Sequence, residues 1–169
     1  MKRSSHRNII TILLGLAIVL MALGMLIKVP VLVIKPQHSD QITLVIPMFQ
    51  EPNFYTSFLH SVQKTPVREY YTLAPENGFL LTAAEYSSYG AGLPFLESDG
   101  HYEVRDHQFV ITEMNRSVEQ INLIYFDFID YQLHYQNKNI DFAEYFSPSG
   151  ESIAIVRSEK PLWQAILYS

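Results

Sequence analysis

Cysteine is absent from the 169-residue chain. That absence excludes disulfides, thiolate metal sites, a cysteine nucleophile and a lipid anchor on an N-terminal cysteine. Any part of the chain outside the cytoplasm must then hold together by packing and hydrogen bonds alone. Acidic residues are also missing before Asp40, although the chain contains seventeen, whereas Lys2, Arg3, Arg7, Lys28 and Lys35 all lie ahead of it. Beyond Lys35, seven basic residues face seventeen acidic ones, a net charge of −10. An acidic domain repels phosphate backbones, so nucleic acid is a poor partner. No internal repeat or low-complexity segment is present, and at 48% hydrophobic residues the composition excludes global disorder.

Charge is missing altogether from Ile9 to Ile27, IITILLGLAIVLMALGMLI. A helix of that length spans about 28 Å, close to the hydrocarbon thickness of a bilayer. The preceding Lys2, Arg3 and Arg7 favour an N-terminus held in the cytoplasm. A cleaved signal sequence would use Ala22-Leu23-Gly24 before its cut, but the apolar run continues through Met25, Leu26 and Ile27 and favours an uncleaved signal anchor. The expected organisation is a basic cytoplasmic tail (1–8), a transmembrane helix (9–27), a tether (28–41) carrying Pro30 and Pro36, whose β-branched stretch Val31 to Ile34 could instead be a short strand at the membrane face, and an extracytoplasmic β domain (42–169). The expected location is the cytoplasmic membrane, crossed once, with the C-terminal domain outside.

From Ile42 onward the apolar positions repeat with period two, the signature of half-buried strands. Ile42 to Met48, Phe54 to Val62, Val67 to Leu73, Phe79 to Tyr86, Val104 to Thr112, Gln120 to Tyr135 and Ile153 to Arg157 read as strands, with Trp163 to Tyr168 a weaker one. Pro75-Glu76-Asn77-Gly78 is a hairpin signal, because Asn-Gly accepts positive φ. The parity of Gln120 to Tyr135 switches near Ile124, as a bulge or burial on both faces would cause. Together these predict a mainly β fold, an antiparallel sandwich or small barrel, preceded by one N-terminal transmembrane helix.

The densest polar pattern is His60-Ser61-Val62-Gln63-Lys64-Thr65-Pro66-Val67-Arg68-Glu69. With a turn at Gln63 to Pro66, His60 faces Glu69 across a hairpin, about 5 Å apart at Cβ. A carboxylate beside an imidazole orients a general base or a ligand-binding histidine, and it equally serves as a structural pair pinning the register. Strand parity directs Ser61 away from His60. Lys64 and Arg68 form a local basic cluster suited to a carboxylate ligand, or simply solvated turn charges. Gly90-Ala91-Gly92-Leu93-Pro94 offers backbone N–H groups to an anion through Gly90 and Gly92, but lacks a dinucleotide fingerprint. His101, Asp106 and His107 match no metal spacing. Asp127 and Asp130 would face opposite sides of a strand, and Ser149 sits in a turn signal without a hydrolase elbow. His134 stands alone among aromatics, and Arg157 calls for a partner the spacing does not supply. No catalytic residue, metal or cofactor is assigned.

The pair Phe58 to Glu69 and Tyr89-Gly90-Ala91-Gly92-Leu93-Pro94 resembles the family called domain of unknown function 1850. These are small exported domains commonly encoded beside TAXI-type TRAP transporter genes. The family pattern matches at His60-Ser61-Val62, Glu69 and Gly90-Ala91-Gly92, and Pro66 falls one position later than in that pattern. The resemblance implies the outer face of the membrane and a TRAP transporter permease or its solute-binding protein as a partner. It carries no activity. The expected function is therefore an accessory or interaction protein of such a transporter. The alternatives are a module binding a small anion or divalent cation, and a hydrolase or isomerase using His60 and Glu69.

Overall fold

The computed structural model describes residues 3–61, 64–87, 100–105, 108–147 and 149–168, with side chains from residue 8 onward. The N-terminal apolar run forms α1 (Arg3–Leu26), whose large side chains lie exposed instead of packing into a core. Immediately after it, β1 (Lys28–Pro36) begins. Its β-branched residues favour an extended chain, and both of its faces are buried: Leu32 and Ile34 on one side, Val31 and Val33 on the other.

Residues 28–36 are thus not a tether but the middle of a sheet. β1 pairs along its whole length with β12 (Glu151–Pro161), from Lys28 opposite Pro161 to Pro36 opposite Ile153. Its other flank pairs β2 (Leu44–Pro47) over Val31 to Ile34. Pro30 and Pro36 lie outside that doubly paired segment, where a missing N–H is tolerated.

The remaining strands are β3 (Asn53–Leu59), β4 (Pro66–Leu73), β5 (Phe79–Tyr86), β6 (His101–Arg105), β7 (Gln108–Thr112), β8 (Arg116–Val118), β9 (Gln120–Tyr125), β10 (Gln132–Tyr135) and β11 (Lys138–Asp141). Among the described residues they complete two antiparallel sheets, β2-β1-β12-β9 and β11-β10-β3-β4-β5-β7-β6, with β8 pairing the far end of β5. The expected mainly β, antiparallel sandwich is observed. Neither sheet closes on itself, so the fold is not a barrel.

The sheets share one core. Leu32, Ile34, Ile153 and Ile155 from the first meet Phe54, Tyr71, Phe79 and Leu133 from the second. Phe54 stacks on Tyr71 at 5.5 Å between ring centres and meets Phe79 edge-on at 5.4 Å. Arg157 finds its partner in a main-chain carbonyl: its Nη1 donates to Ala74 O. A cation from one sheet thereby ties down the turn that ends β4 in the other.

Two sequence expectations give way to tertiary context. Gln120 to Tyr135 is not one strand: β9 and β10 belong to different sheets, and the parity switch near Ile124 is where β9 ends, at Tyr125. Trp163 to Tyr168 is not a strand. Leu162–Leu167 forms a short helix, α2, with Ala165 fully buried against the sheet. Leu, Gln and Ala are good helix formers, and Pro161 ends the ladder before them.

The chain crosses between sheets at Glu119, which separates β8 from β9. Gly78 makes that corner possible. Its φ is +74°, and a Cβ there would stand 2.4 Å from Val118 O and 2.9 Å from Glu119 Cα. Both the left-handed backbone and the backbone contact require glycine. Gly78→Ala should destabilise the chain by about 2 kcal/mol or more, seen as a lower denaturant midpoint. An unchanged midpoint would contradict the corner geometry.

Candidate functional site

Where β8 turns into β9, the inner face of the larger sheet extends past the edge of the smaller one. A cavity of about 400 Å³ lies there. Its floor comes from alternate residues of neighbouring strands: Phe58 of β3, Glu69 and Tyr71 of β4, and Leu81 of β5. Its side is β9 from Gln120 to Ile124, an edge strand of its sheet. Tyr131 closes another side, its ring stacked on Phe58 at 4.9 Å. Arg116 of β8 and the turn residues His60 and Ser61 complete the rim.

A β-bulge next to this floor sets the aim of its polar groups. The β4–β5 register slips between Tyr70 and Tyr71, leaving Thr82 as the extra residue, and its Oγ1 donates to Tyr70 O at 3.1 Å. Bulges bend a strand and redirect its side chains. Here the extra residue switches the parity of β5, whose core-facing positions run Phe79, Leu81, Ala84 and Tyr86, while β4 keeps Tyr71 toward the core and Tyr70 outward.

Among the described residues, Glu69 is the only acid in the cavity lining. Tyr71 Oη donates to its Oε2 at 2.7 Å. Burial raises the Glu69 pKa above the usual carboxylate range, opposed by the Tyr71 hydrogen bond and then by the charge of Arg116. Tyr71 and Tyr131 are both pushed well up, first by burial and then by Glu69, so each stays a hydrogen-bond donor at physiological pH. The chemistry on offer is a poorly solvated carboxyl, phenolic donors and one cation, set between aromatic and aliphatic walls.

The hairpin differs in register from the sequence expectation. Glu69 lies opposite Thr56 and not opposite His60, a displacement of four residues along β3. The last ladder pair is Leu59 with Pro66. His60 N then donates to Thr65 O at 2.8 Å, and Lys64 N donates to His60 O at 2.9 Å. Lys64 takes the left-handed conformation, φ +54°, that closes this earlier turn. Because the displacement is even, it leaves the faces unchanged, and His60 and Glu69 still line one cavity. The parity argument that turns Ser61 away from His60 does not apply, since the ladder ends at Leu59 and Ser61 lies in the turn.

Lys64 and Arg68 do not join that cavity. Lys64 Nζ lies 4.4 Å from the centre of the Phe128 ring. Arg68 is on the opposite face of the sheet, paired with Glu85 at 3.1 Å. Near it, His134 Nε2 and Ser57 Oγ are 2.8 Å apart, and the imidazole stacks on Tyr55 at 4.2 Å. Burial, and secondarily Arg68, lower the His134 pKa. Gly90 and Gly92, with Asp106 and His107, lie outside the described residues. Tyr71 is a cavity residue that period two already places on the Glu69 face, two positions along. Arg116 and Tyr131 carry no local signal, because a remote strand, β8, delivers the one and the segment just before β10 delivers the other.

Glu69 also sets a pH dependence. A carboxyl whose folded pKa is raised holds its proton more tightly in the native state. Its stabilising contribution is full below the ordinary carboxylate pKa and is lost as pH rises through the raised folded value. Glu69→Gln should therefore remove a decline in stability with rising pH that the wild type shows in that window. Parallel pH profiles of the two denaturant midpoints would refute this.

The profile of the family described as a domain of unknown function (DUF1850) matches residues 54–142. That stretch begins within β3, ends just after β11, and contains every residue lining the cavity. No curated protein and no solved structure matches the chain. On that family match, which covers more than half of its length, the chain belongs to the DUF1850 family.

Proposed function

We propose that this chain is a single-pass, membrane-anchored accessory protein of a TRAP-type solute transporter. Its β domain stands outside the cytoplasmic membrane and binds a small amino-acid-like solute in the Glu69 cavity. The observation that carries the binding reading is the part-buried Glu69 carboxyl, held by Tyr71, in a cavity that also presents Arg116. A desolvated carboxylate is costly unless a cation meets it. A solute ammonium would meet that need, and a solute carboxylate would suit the planar fork of Arg116.

The anchor reading draws on α1, where Asn8–Leu26 is long and apolar enough to cross a membrane. It also draws on the basic residues ahead of that run and the acidic domain behind it. The transporter link comes from the family resemblance. Such transporters take up organic-acid or amino-acid-like anions, which fits the paired charges of the cavity.

Two other readings have less support. Among the described residues no group of three or more His, Cys, Asp or Glu gathers as a divalent cation requires. A hydrolase or isomerase would need His60 oriented by Glu69, whereas the hydrogen bond to Glu69 comes from Tyr71.

Calorimetry on the full chain in detergent tests the site, with L-glutamate and L-glutamine as probes against succinate, Mg²⁺ and Ca²⁺. Heat with the amino acids, weakened at least tenfold (about 1.4 kcal/mol) by Glu69→Gln and by Arg116→Met, is expected. Absence of heat with both amino acids would remove the binding reading. A separate test is capture of the tagged chain from cross-linked membranes. Recovery of the permease or its solute-binding protein is expected. No recovery, with solute uptake unchanged on deletion, would remove the transporter link.

A further inference from the structure

The C-terminal helix α2 turns apolar side chains away from the protein. Trp163, Ile166 and Leu167 follow the i, i+3, i+4 spacing that places them on one helix face, and they are 46%, 57% and 74% exposed, with Tyr168 beside them at 50%. The opposite side of the helix buries Ala165 completely and sits against β1, β2 and β12. An outward apolar stripe on a six-residue helix is a liability in water, where such area costs roughly 25 cal/mol per Å².

This stripe is continuous with α1. Leu162 N donates to Ile27 O at 2.8 Å, which joins the start of α2 to the end of the apolar run. Trp163 stands over Gly24, where a Cβ would lie 3.7 Å from Trp163 Cβ. Leu20, Met21, Gly24 and Met25 share with Trp163 a cleft of about 290 Å³. These residues occupy the last two turns of α1, roughly the outer 10 Å of the segment at 1.5 Å per residue. With residues 9–27 in the bilayer, Trp163 falls at the depth where Trp and Tyr are enriched, between headgroups and acyl chains. Lys28, opposite Pro161 in the ladder, stands at the same boundary.

We propose that α2 is a second membrane contact, an interfacial foot whose Trp163, Ile166, Leu167 and Tyr168 enter the phospholipid interface beside α1. This rests on the reading of α1 as membrane-inserted. The consequence is orientation. α1 alone would leave the β domain free to swing, whereas a foot packed on β1, β2 and β12 seats it at a set angle on the bilayer. Interfacial helices bind through buried apolar area in this way.

Trp163 is the only tryptophan in the chain, so its fluorescence in the unmodified protein reports the foot directly. The full chain is reconstituted in phosphatidylcholine–phosphatidylglycerol vesicles, and retention of α1 is scored independently by resistance to alkaline carbonate. The expected result is a blue-shifted emission shielded from acrylamide. It should be quenched more by lipids brominated near the carbonyl end of the acyl chain than by lipids brominated near the methyl end. Carbonate resistance with acrylamide-accessible, bromolipid-insensitive emission overturns the foot and leaves the anchor standing. Release by carbonate overturns both. In the double variant Ile166→Glu, Leu167→Glu, bromolipid quenching should fall while carbonate resistance stays. Unchanged quenching there would assign the depth of Trp163 to α1 alone and overturn the foot.

Discussion

The antiparallel ladder between β1 and β12 is the constraint on which the rest of the molecule depends. It joins Lys28–Pro36 to Ile153–Pro161, segments separated by most of the chain, and fills the centre of the smaller sheet. Closing so long a loop has an entropic cost that grows only slowly with its length. The return is burial on both faces of β1: Leu32 and Ile34 against the larger sheet, Val31 and Val33 on the outer side. The same ladder sets Arg157 opposite Leu32, from where its guanidinium reaches Ala74 in the other sheet. It also brings the end of α1 and the start of α2 together at Ile27 and Leu162.

The cavity arises from a mismatch between the two sheets. The larger sheet carries Glu69 and Tyr71 past the edge of the smaller one, and β9 meets that overhang with its unpaired flank. Crossing from β8 to β9 in the space of Glu119 demands a residue without a side chain beneath it, and Gly78 supplies one. The family match ends close to this unit. It takes in β9, which borders the cavity, and omits α1, β1, β2, β12 and α2. The elements bearing the candidate site and the pair of helices α1 and α2 are thus separate along the chain, and joined through β9 pairing with β12.

Much of the local pattern is readable in the sequence. The alternation in Val67 to Leu73 and Phe79 to Tyr86 gives the limits of β4 and β5 to within a residue, because each strand buries one face in a single core. Strand parity assigns His60 and Glu69 to one face, and they share a cavity despite the four-residue displacement. An even slip moves partners without exchanging faces. Several of the misreadings share one cause, an element whose neighbours are distant in sequence. Lys28–Pro36 resembles a tether until β12 arrives, and Gln120 to Tyr135 resembles one strand until its halves join different sheets. Arg157 lacks an acidic partner because its partner is a carbonyl of a remote turn.

By itself the sequence determined the apolar N-terminal helix, the mainly β antiparallel character of the remaining chain, the family, and the common face of His60 and Glu69. Each rests on spacing along a short stretch of chain: a run without charge, period two, or a compact motif. Tertiary structure alone decided that β1 is a core strand, that Glu69 is met by Tyr71 and shares its cavity with Arg116 and Tyr131, and that Lys64 and Arg68 turn elsewhere. It also decided that α2 is a helix lying beside α1. These outcomes depend on which sheet a segment joins and on the edge at which that sheet stops, quantities set by burial summed over the whole chain.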